Sequence, residues 1–178
     1  MGRDKAFILF AGVPFLTRIC QTAQGVASRV LVISPWRSRY QSLIPQGCVF
    51  VEEIQPQENQ SSGPLIGFSQ ALPLVQTEWV LLLAQDLPYL TIEILQKWSL
   101  NLQSVAPDAI AYLPRSENNW EPLSGFYRVD CLPLLNNYIN KGGKSFQGFL
   151  NQHLIEELSI GDRTLLFNCN TPEDLQPL

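Results

Sequence analysis

The sequence predicts an α/β fold, a three-layer α/β/α sandwich on a mostly parallel sheet, and three observations carry that expectation. Apolar, strand-like runs alternate with helical stripes through the 178 residues, which is the pattern of βαβ units. Trp79 to Leu83, WVLLL, is a continuous apolar run ahead of Ala84-Gln85-Asp86-Leu87-Pro88, as expected of a strand buried on both faces. With 46% hydrophobic and 16% charged residues, the chain can bury one substantial core and is too short to favour two domains.

The elements follow in order. Pro14 to Ala27 carries apolar residues at 15, 16, 19, 20, 23, 26 and 27, a helical stripe opened by a proline suited to a first turn. Val30 to Ile33 and Cys48 to Val51 read as strands, and the polar stretch from Glu52 to Ser62 as a loop. Gly63-Pro64 starts a helix that Pro73 ends or kinks. After the Trp79 strand, Thr91 is placed to cap a helix from Ile92 to the region of Leu102, and Ala109 to Leu113 is a further strand. Short strands are expected at Ser124 to Tyr127, Ile155 to Ile160 and Leu165 to Phe167, one or more of them antiparallel, with helical material from Asp130 to Asn140. Gly142-Gly143-Lys144-Ser145 ends like a phosphate-binding loop, but Tyr138 stands where that motif needs its first glycine. The glycines read better as a helix stop, with Ser145 capping the next helix.

Several function classes are disfavoured. A net charge of -4 lacks the basic excess of a protein that grips nucleic-acid phosphates. No apolar stretch approaches the length of a membrane span. Cys20, Cys48, Cys131 and Cys169 are scattered without a CxxC pair, so reduced, mostly buried thiols in a cytoplasmic protein are expected. His153, the only histidine, rules out a histidine-rich zinc site and argues against a Ser-His-Asp triad; in Asn151-Gln152-His153 it reads as a surface residue.

Asp86 stands out because ligands of open α/β sheets gather beyond the carboxyl ends of the strands. The alternative is a turn residue whose oxygens accept nearby backbone N–H groups. Both readings stay open on position alone.

Met1-Gly2-Arg3-Asp4-Lys5, Gly63-Pro64-Leu65-Ile66-Gly67, Asp86-Leu87-Pro88, Glu121-Pro122-Leu123 and Asn168-Cys169-Asn170-Thr171-Pro172-Glu173-Asp174-Leu175 occur in this order. Together, and over almost the whole chain, they resemble the molybdenum cofactor guanylyltransferases (the MobA family), whose fold is a Rossmann-like, mostly parallel sheet of the nucleotidyltransferase type. The resemblance implies transfer of GMP from GTP to the terminal phosphate of molybdopterin, with release of pyrophosphate, giving the guanine dinucleotide cofactor. A reaction between two anions needs cations and in-line alignment but no side-chain nucleophile, so the shortage of histidine is no obstacle.

The resemblance also implies residue roles. Asp86 matches a Mg²⁺-binding carboxylate, and magnesium commonly takes only one or two carboxylates with water and substrate phosphate; Gln85 stands where the family usually has cysteine. Lys5 matches the catalytic lysine that meets the nucleotide phosphates, with Arg3 adding positive potential, although a pair of exposed charges near a terminus would look the same. Nucleotide contacts are implied near Gly63, where a plain helix start explains Pro64 equally well. Ser34 and Glu53 align with the guanine-reading positions, normally Asn and Asp. Asn168, Asn170 and Pro122 match acceptor-binding positions, while Thr171 to Asp174 is fully explained as a helix start. The implied partners are GTP, molybdopterin and cofactor-insertion proteins, with the chain a monomer or weak oligomer.

Family members carry an apolar strand and a Leu-Ala-Gly-Gly turn ahead of the segment matching Met1, and this sequence contains neither. A central strand of about five buried apolar side chains, at roughly 1.5 to 3 kcal/mol each, is worth on the order of 10 kcal/mol. That is comparable with the ~5 to 15 kcal/mol net stability of a whole domain. Residues 1–178 are therefore expected to form a single nucleotidyltransferase-like domain that is amino-terminally incomplete. Two rival functions remain: a non-catalytic relative that binds pterin or nucleotide through Asn168 and Asn170, and a cytidylyltransferase on the same cofactor. Asp4 before Lys5 resembles the guanylyl branch, whereas Ser34 and Glu53 leave the base open.

Overall fold

The computed structural model describes residues 4–54, 63–116 and 118–167. A short antiparallel hairpin, β1 (Leu9–Phe10) and β2 (Val13–Pro14), leads directly into α1 (Phe15–Gln24). Its turn, Ala11-Gly12, takes positive φ at both residues, as a two-residue hairpin of primed type requires. The expected helix at Pro14 forms one residue later: Pro14 is its N-cap and still extended, with φ -58° and ψ 143°. Phe15, Leu16, Ile19 and Cys20 make the buried stripe of α1.

β3 (Val30–Ser34), the single-turn α2 (Arg37–Tyr40) and β4 (Cys48–Glu52) come next, and β3 and β4 pair in parallel from Val30 opposite Cys48 to Ser34 opposite Glu52. α3 (Pro64–Ala71) begins behind Gly63, whose φ of +76° suits glycine alone without strain. A 3-10 turn at Leu72–Leu74 carries Pro73 and closes the helix, as its proline dictates. After β5 (Trp79–Leu83), Thr91 Oγ1 accepts from Ile94 N at 3.4 Å and opens α4 (Ile92–Ser99), with Glu93 in its first turn and Lys97 in its last.

β6 (Ala111–Leu113), a hairpin of β7 (Arg115–Ser116) and β8 (Asn119–Trp120), β9 (Ser124–Arg128), α5 (Leu132–Asn140), α6 (Phe146–Leu150) and β10 (Ile155–Glu157) complete the set. Ser145 does cap α6, its Oγ accepting from Gly148 N at 3.1 Å. Leu165 to Phe167 is not a strand. It belongs to a 3-10 turn, Arg163–Leu166, opened by Asp162 accepting from Thr164 N at 2.9 Å, and three apolar residues are too few to distinguish the two.

Four strands form one sheet in the order β10-β6-β9-β5. β9 is antiparallel to both β5 and β6, and β6 is parallel to β10, so β9 alone runs backwards. Among the described residues β3 and β4 form a separate parallel pair. The α/β/α layering is visible in side-chain alternation. Trp79, Leu81, Leu83, Tyr112 and Phe126 pack with α1 and α4 residues such as Leu16, Ile19, Leu95 and Trp98. Val80, Leu82, Ala111, Leu113 and Tyr127 face the other way, onto Leu65 and Phe68 of α3, Leu135 of α5 and Phe149 of α6.

Cys20 and Cys131 are buried, Cys48 half-buried, and burial pushes the first two thiols up to about 12; Cys169 lies outside the described residues. His153 is half-buried rather than a surface residue, its ring centroid 4.9 Å from that of Phe149, and burial lowers its pKa from the ordinary 6.5. No helix among the described residues is long and apolar enough to cross a membrane.

Candidate active site

Asp86 lies three residues past the end of β5, in a turn closed by Leu87 and Pro88, and only 8% of it is exposed. Lys5 opens a 3-10 turn, Lys5–Phe7, on a distant part of the chain. Its Nζ donates to Asp86 Oδ2 at 2.6 Å, with the Lys5 side chain one-third exposed. A charge-assisted contact of that length is strong for a hydrogen bond. The partner of Asp86 Oδ2 is therefore an ammonium 81 residues away, which disfavours the reading of Asp86 as a plain turn residue and of Lys5 as a stray terminal charge.

A second group forms where β3 and β4 end. Ser34 is the last residue of β3, 9% exposed, and its carbonyl accepts from Glu53 N at 3.1 Å. Ser34 Oγ accepts a long hydrogen bond from Trp36 N, 3.3 Å. The Glu53 carboxylate reaches the first turn of α3, where a Cβ built on Gly67 would stand 3.8 Å from its Oε2. Burial raises the Glu53 carboxyl above its ordinary value of 4.5. Gly63 caps this same helix end, so three sequence-expected nucleotide positions, Ser34, Glu53 and Gly63, are gathered by one strand pair and one helix.

The third feature is a cleft of about 350 Å³ lined by Arg115, Ser116, Glu121, Ile160, Arg163, Leu166 and Phe167. Ser116 Oγ donates to Glu121 Oε1 at 2.5 Å, and the Arg115 guanidinium covers the Trp120 ring, 5.2 Å from its centroid. From Glu121 the chain passes Pro122, whose carbonyl accepts from Tyr127 Oη at 2.8 Å, and Leu123, whose carbonyl accepts from Ala84 N at 2.7 Å. The cleft is thus tied through residues 121–123 to the strand that presents Asp86. Arg3, Asn168 and Asn170 lie outside the described residues.

Sequence reasoning missed Arg115, Arg163, Arg39 and Tyr40, and it read Asp4 only as a mark of the guanylyl branch. Asp4 caps the Lys5 turn and is met by Arg39 and Tyr40 of α2; the signal available was an Arg-Ser-Arg-Tyr run starting three residues after Ser34. Among the described residues no three or more His, Cys, Asp or Glu side chains converge as a protein-only metal cage. A single carboxylate such as Asp86 suits a cation that takes most of its shell from water and substrate oxygens.

The profile of the MobA-like NTP transferase domain matches residues 1–157. A probable molybdenum cofactor guanylyltransferase from Nostoc sp. is 51% identical over 175 residues, 98% of this chain and 82% of its own. One from Synechococcus elongatus is 42% identical over 178 residues, covering 100% of this chain and 91% of its own. The crystal structure of a molybdopterin-guanine dinucleotide biosynthesis protein A from Archaeoglobus fulgidus shares the fold, with a TM-score of 0.75, 18% identity, and coverage of 98% of this chain and 88% of its own. On the profile match and these relatives, the chain belongs to the family of MobA-like NTP transferases.

Proposed function

We propose that this protein transfers GMP from GTP to the terminal phosphate of molybdopterin. An acceptor phosphate oxygen forms a bond to the α-phosphorus, the bond from that phosphorus to the bridging oxygen breaks, and pyrophosphate leaves with the electron pair. The observation that carries the reading is the Lys5–Asp86 pair at 2.6 Å: a cation and a metal-competent carboxylate side by side, as phosphoryl chemistry between anions needs. The names of the relatives from Nostoc sp. and Synechococcus elongatus support it.

In the free protein the Lys5 ammonium neutralises Asp86; an arriving triphosphate offers Lys5 a denser anion, and Arg3 adds to the same field. Asp86 is the residue that would hold Mg²⁺, which when bound would offset phosphate charge. Ser34 and Glu53, beside the Gly63 end of α3, hold the base: a carboxylate accepts from the N–H donors on a guanine edge, a match that a cytosine ring nitrogen cannot supply. Arg115 and Arg163 give the cleft a positive lining for the acceptor's phosphate; Pro122, Asn168 and Asn170 are the acceptor contacts that the family resemblance adds. The setting is the cytoplasm, with cofactor-insertion proteins receiving the product.

Pyrophosphate release from GTP, CTP and ATP, each with molybdopterin and Mg²⁺, tests the proposal. Release with GTP well above the other two is expected. Release with CTP alone would transfer the reading to the cytidylyl alternative, and pterin binding without any release would establish the non-catalytic one.

A further inference from the structure

We infer that Tyr40 and Arg39 are positioning residues for Lys5, acting through Asp4. The Asp4 carboxylate is held by three donors: Oδ1 accepts from Ala6 N at 3.1 Å, and Oδ2 accepts from Tyr40 Oη at 2.8 Å and from Arg39 Nη2 at 2.7 Å. The first of these contacts caps the Lys5–Phe7 turn, and the other two anchor that cap to α2. Lys5 is thereby joined at its backbone to a fixed carboxylate on one side and at its Nζ to Asp86 on the other.

The clamp is itself rigidly seated. Tyr40 is buried, with its ring centroid 6.1 Å from that of Phe7 and 6.2 Å from that of Trp36, and the Arg39 guanidinium lies 5.7 Å from the same ring. Burial, followed by the hydrogen bond to Asp4, pushes the Tyr40 phenol up to about 12, so it remains a donor throughout the neutral range. A lysine on its own has a long, freely rotating stem, and ordering that stem costs conformational entropy. Fixing the backbone from which it springs reduces the number of positions its ammonium can take, which matters most when the ammonium has to meet a particular phosphate oxygen. That Lys5 contacts phosphate rests on the function proposed above; the clamp does not.

The test is a pulse of amine acylation on the full chain, read by mass spectrometry at Lys5, with Lys97, Lys141 and Lys144 as internal references. The wild type, Tyr40→Phe, and Tyr40→Phe combined with Arg39→Gln are compared. Tyr40→Phe keeps the ring and removes only the hydroxyl. Lys5 acylation is expected to rise about 10-fold in the double variant and by less in the single one, the references staying constant. In turnover, kcat is expected to fall about 10-fold with the KM for molybdopterin unchanged, a split that general loss of folded protein does not produce. Lys5 acylation equal to wild type in the double variant overturns the inference. If the double variant unfolds, its far-UV signal is lost and the Tyr40→Phe variant alone decides, with wild-type acylation there overturning the inference. A wild-type protein that releases no pyrophosphate from GTP defeats the proposed function, while the acylation result still decides the clamp.

Discussion

Lys5 Nζ and Asp86 Oδ2 stand 2.6 Å apart across 81 residues of sequence, joining the two residues to which the proposed function assigns the phosphates and the metal. One belongs to a capped 3-10 turn and the other to the turn after a half-buried strand. Each neutralises the other in the free protein, and Lys5, one-third exposed, keeps access to water when its partner's charge is removed.

Replacing Asp86 by Asn keeps the shape of that turn and removes the charge. Turnover is expected to fall by about 100- to 1,000-fold, with the far-UV spectrum and thermal midpoint close to wild type. Unchanged pyrophosphate release in this variant would remove Asp86 from the chemistry.

Glu53 gives a prediction with a defined pH sign. Burial raises its carboxyl in the folded state, so the folded protein holds that proton more tightly than the unfolded chain. Its contribution to stability is present in full below the ordinary carboxylate range and is lost as pH rises through the raised value. Glu53→Gln is therefore expected to melt above wild type at pH 7 and level with it at pH 4. The same variant loses the carboxylate that would meet the guanine edge, so its KM for GTP is expected to rise about 10-fold. A melting difference independent of pH, or an unchanged KM, counts against the placement of this residue.

Arg163 tests the cleft. Arg163→Ala is expected to raise the KM for molybdopterin by about 10-fold while leaving the KM for GTP unaltered. Equal shifts for both substrates would show that the cleft does not separate acceptor from nucleotide.

Tyr127 tests the support beneath Pro122. The side chain is fully buried and its hydroxyl donates to the Pro122 carbonyl at 2.8 Å. Tyr127→Phe is expected to cost about 1 kcal/mol in urea unfolding and to weaken acceptor binding without changing GTP binding. A variant as stable as wild type would mean that the Pro122 carbonyl finds another donor.

The parts of the fold that were legible are those written as long patterns. WVLLL at Trp79–Leu83 does form a strand, but the expected burial on both faces is not met: all five residues are half-buried, and among the described residues β5 stands at the edge of its sheet beside antiparallel β9; α1 follows its apolar stripe from Phe15 onward. Short pieces were not legible. The hairpins Leu9–Pro14 and Arg115–Trp120 have strands of two residues each, below any periodicity, and Leu165 to Phe167 looked like a strand until Asp162 supplied a cap.

For the site, Asp86 could be placed at a strand end from sequence, but its partner could not, because nothing local to Lys5 encodes a contact 81 residues away. The same is true of Tyr40 and Arg39, which serve Asp4 from across the chain. Ser34 and Glu53 came from resemblance, and the parallel register of β3 and β4 explains why they belong together: Ser34 lies opposite Glu52, one residue before Glu53.

The reversed direction of β9 bears on how this site can change. Ser124 enters β9 opposite Leu83, the last residue of β5, so the beginning of one strand shares an edge of the sheet with the endings of its neighbours. Residues arriving at that edge, Glu121 to Leu123, are encoded apart from those departing toward Asp86. Under the proposed function, substitutions upstream of Ser124 therefore retune the choice of acceptor separately from the nucleotide end, giving the two substrates separate genetic addresses on a common rim.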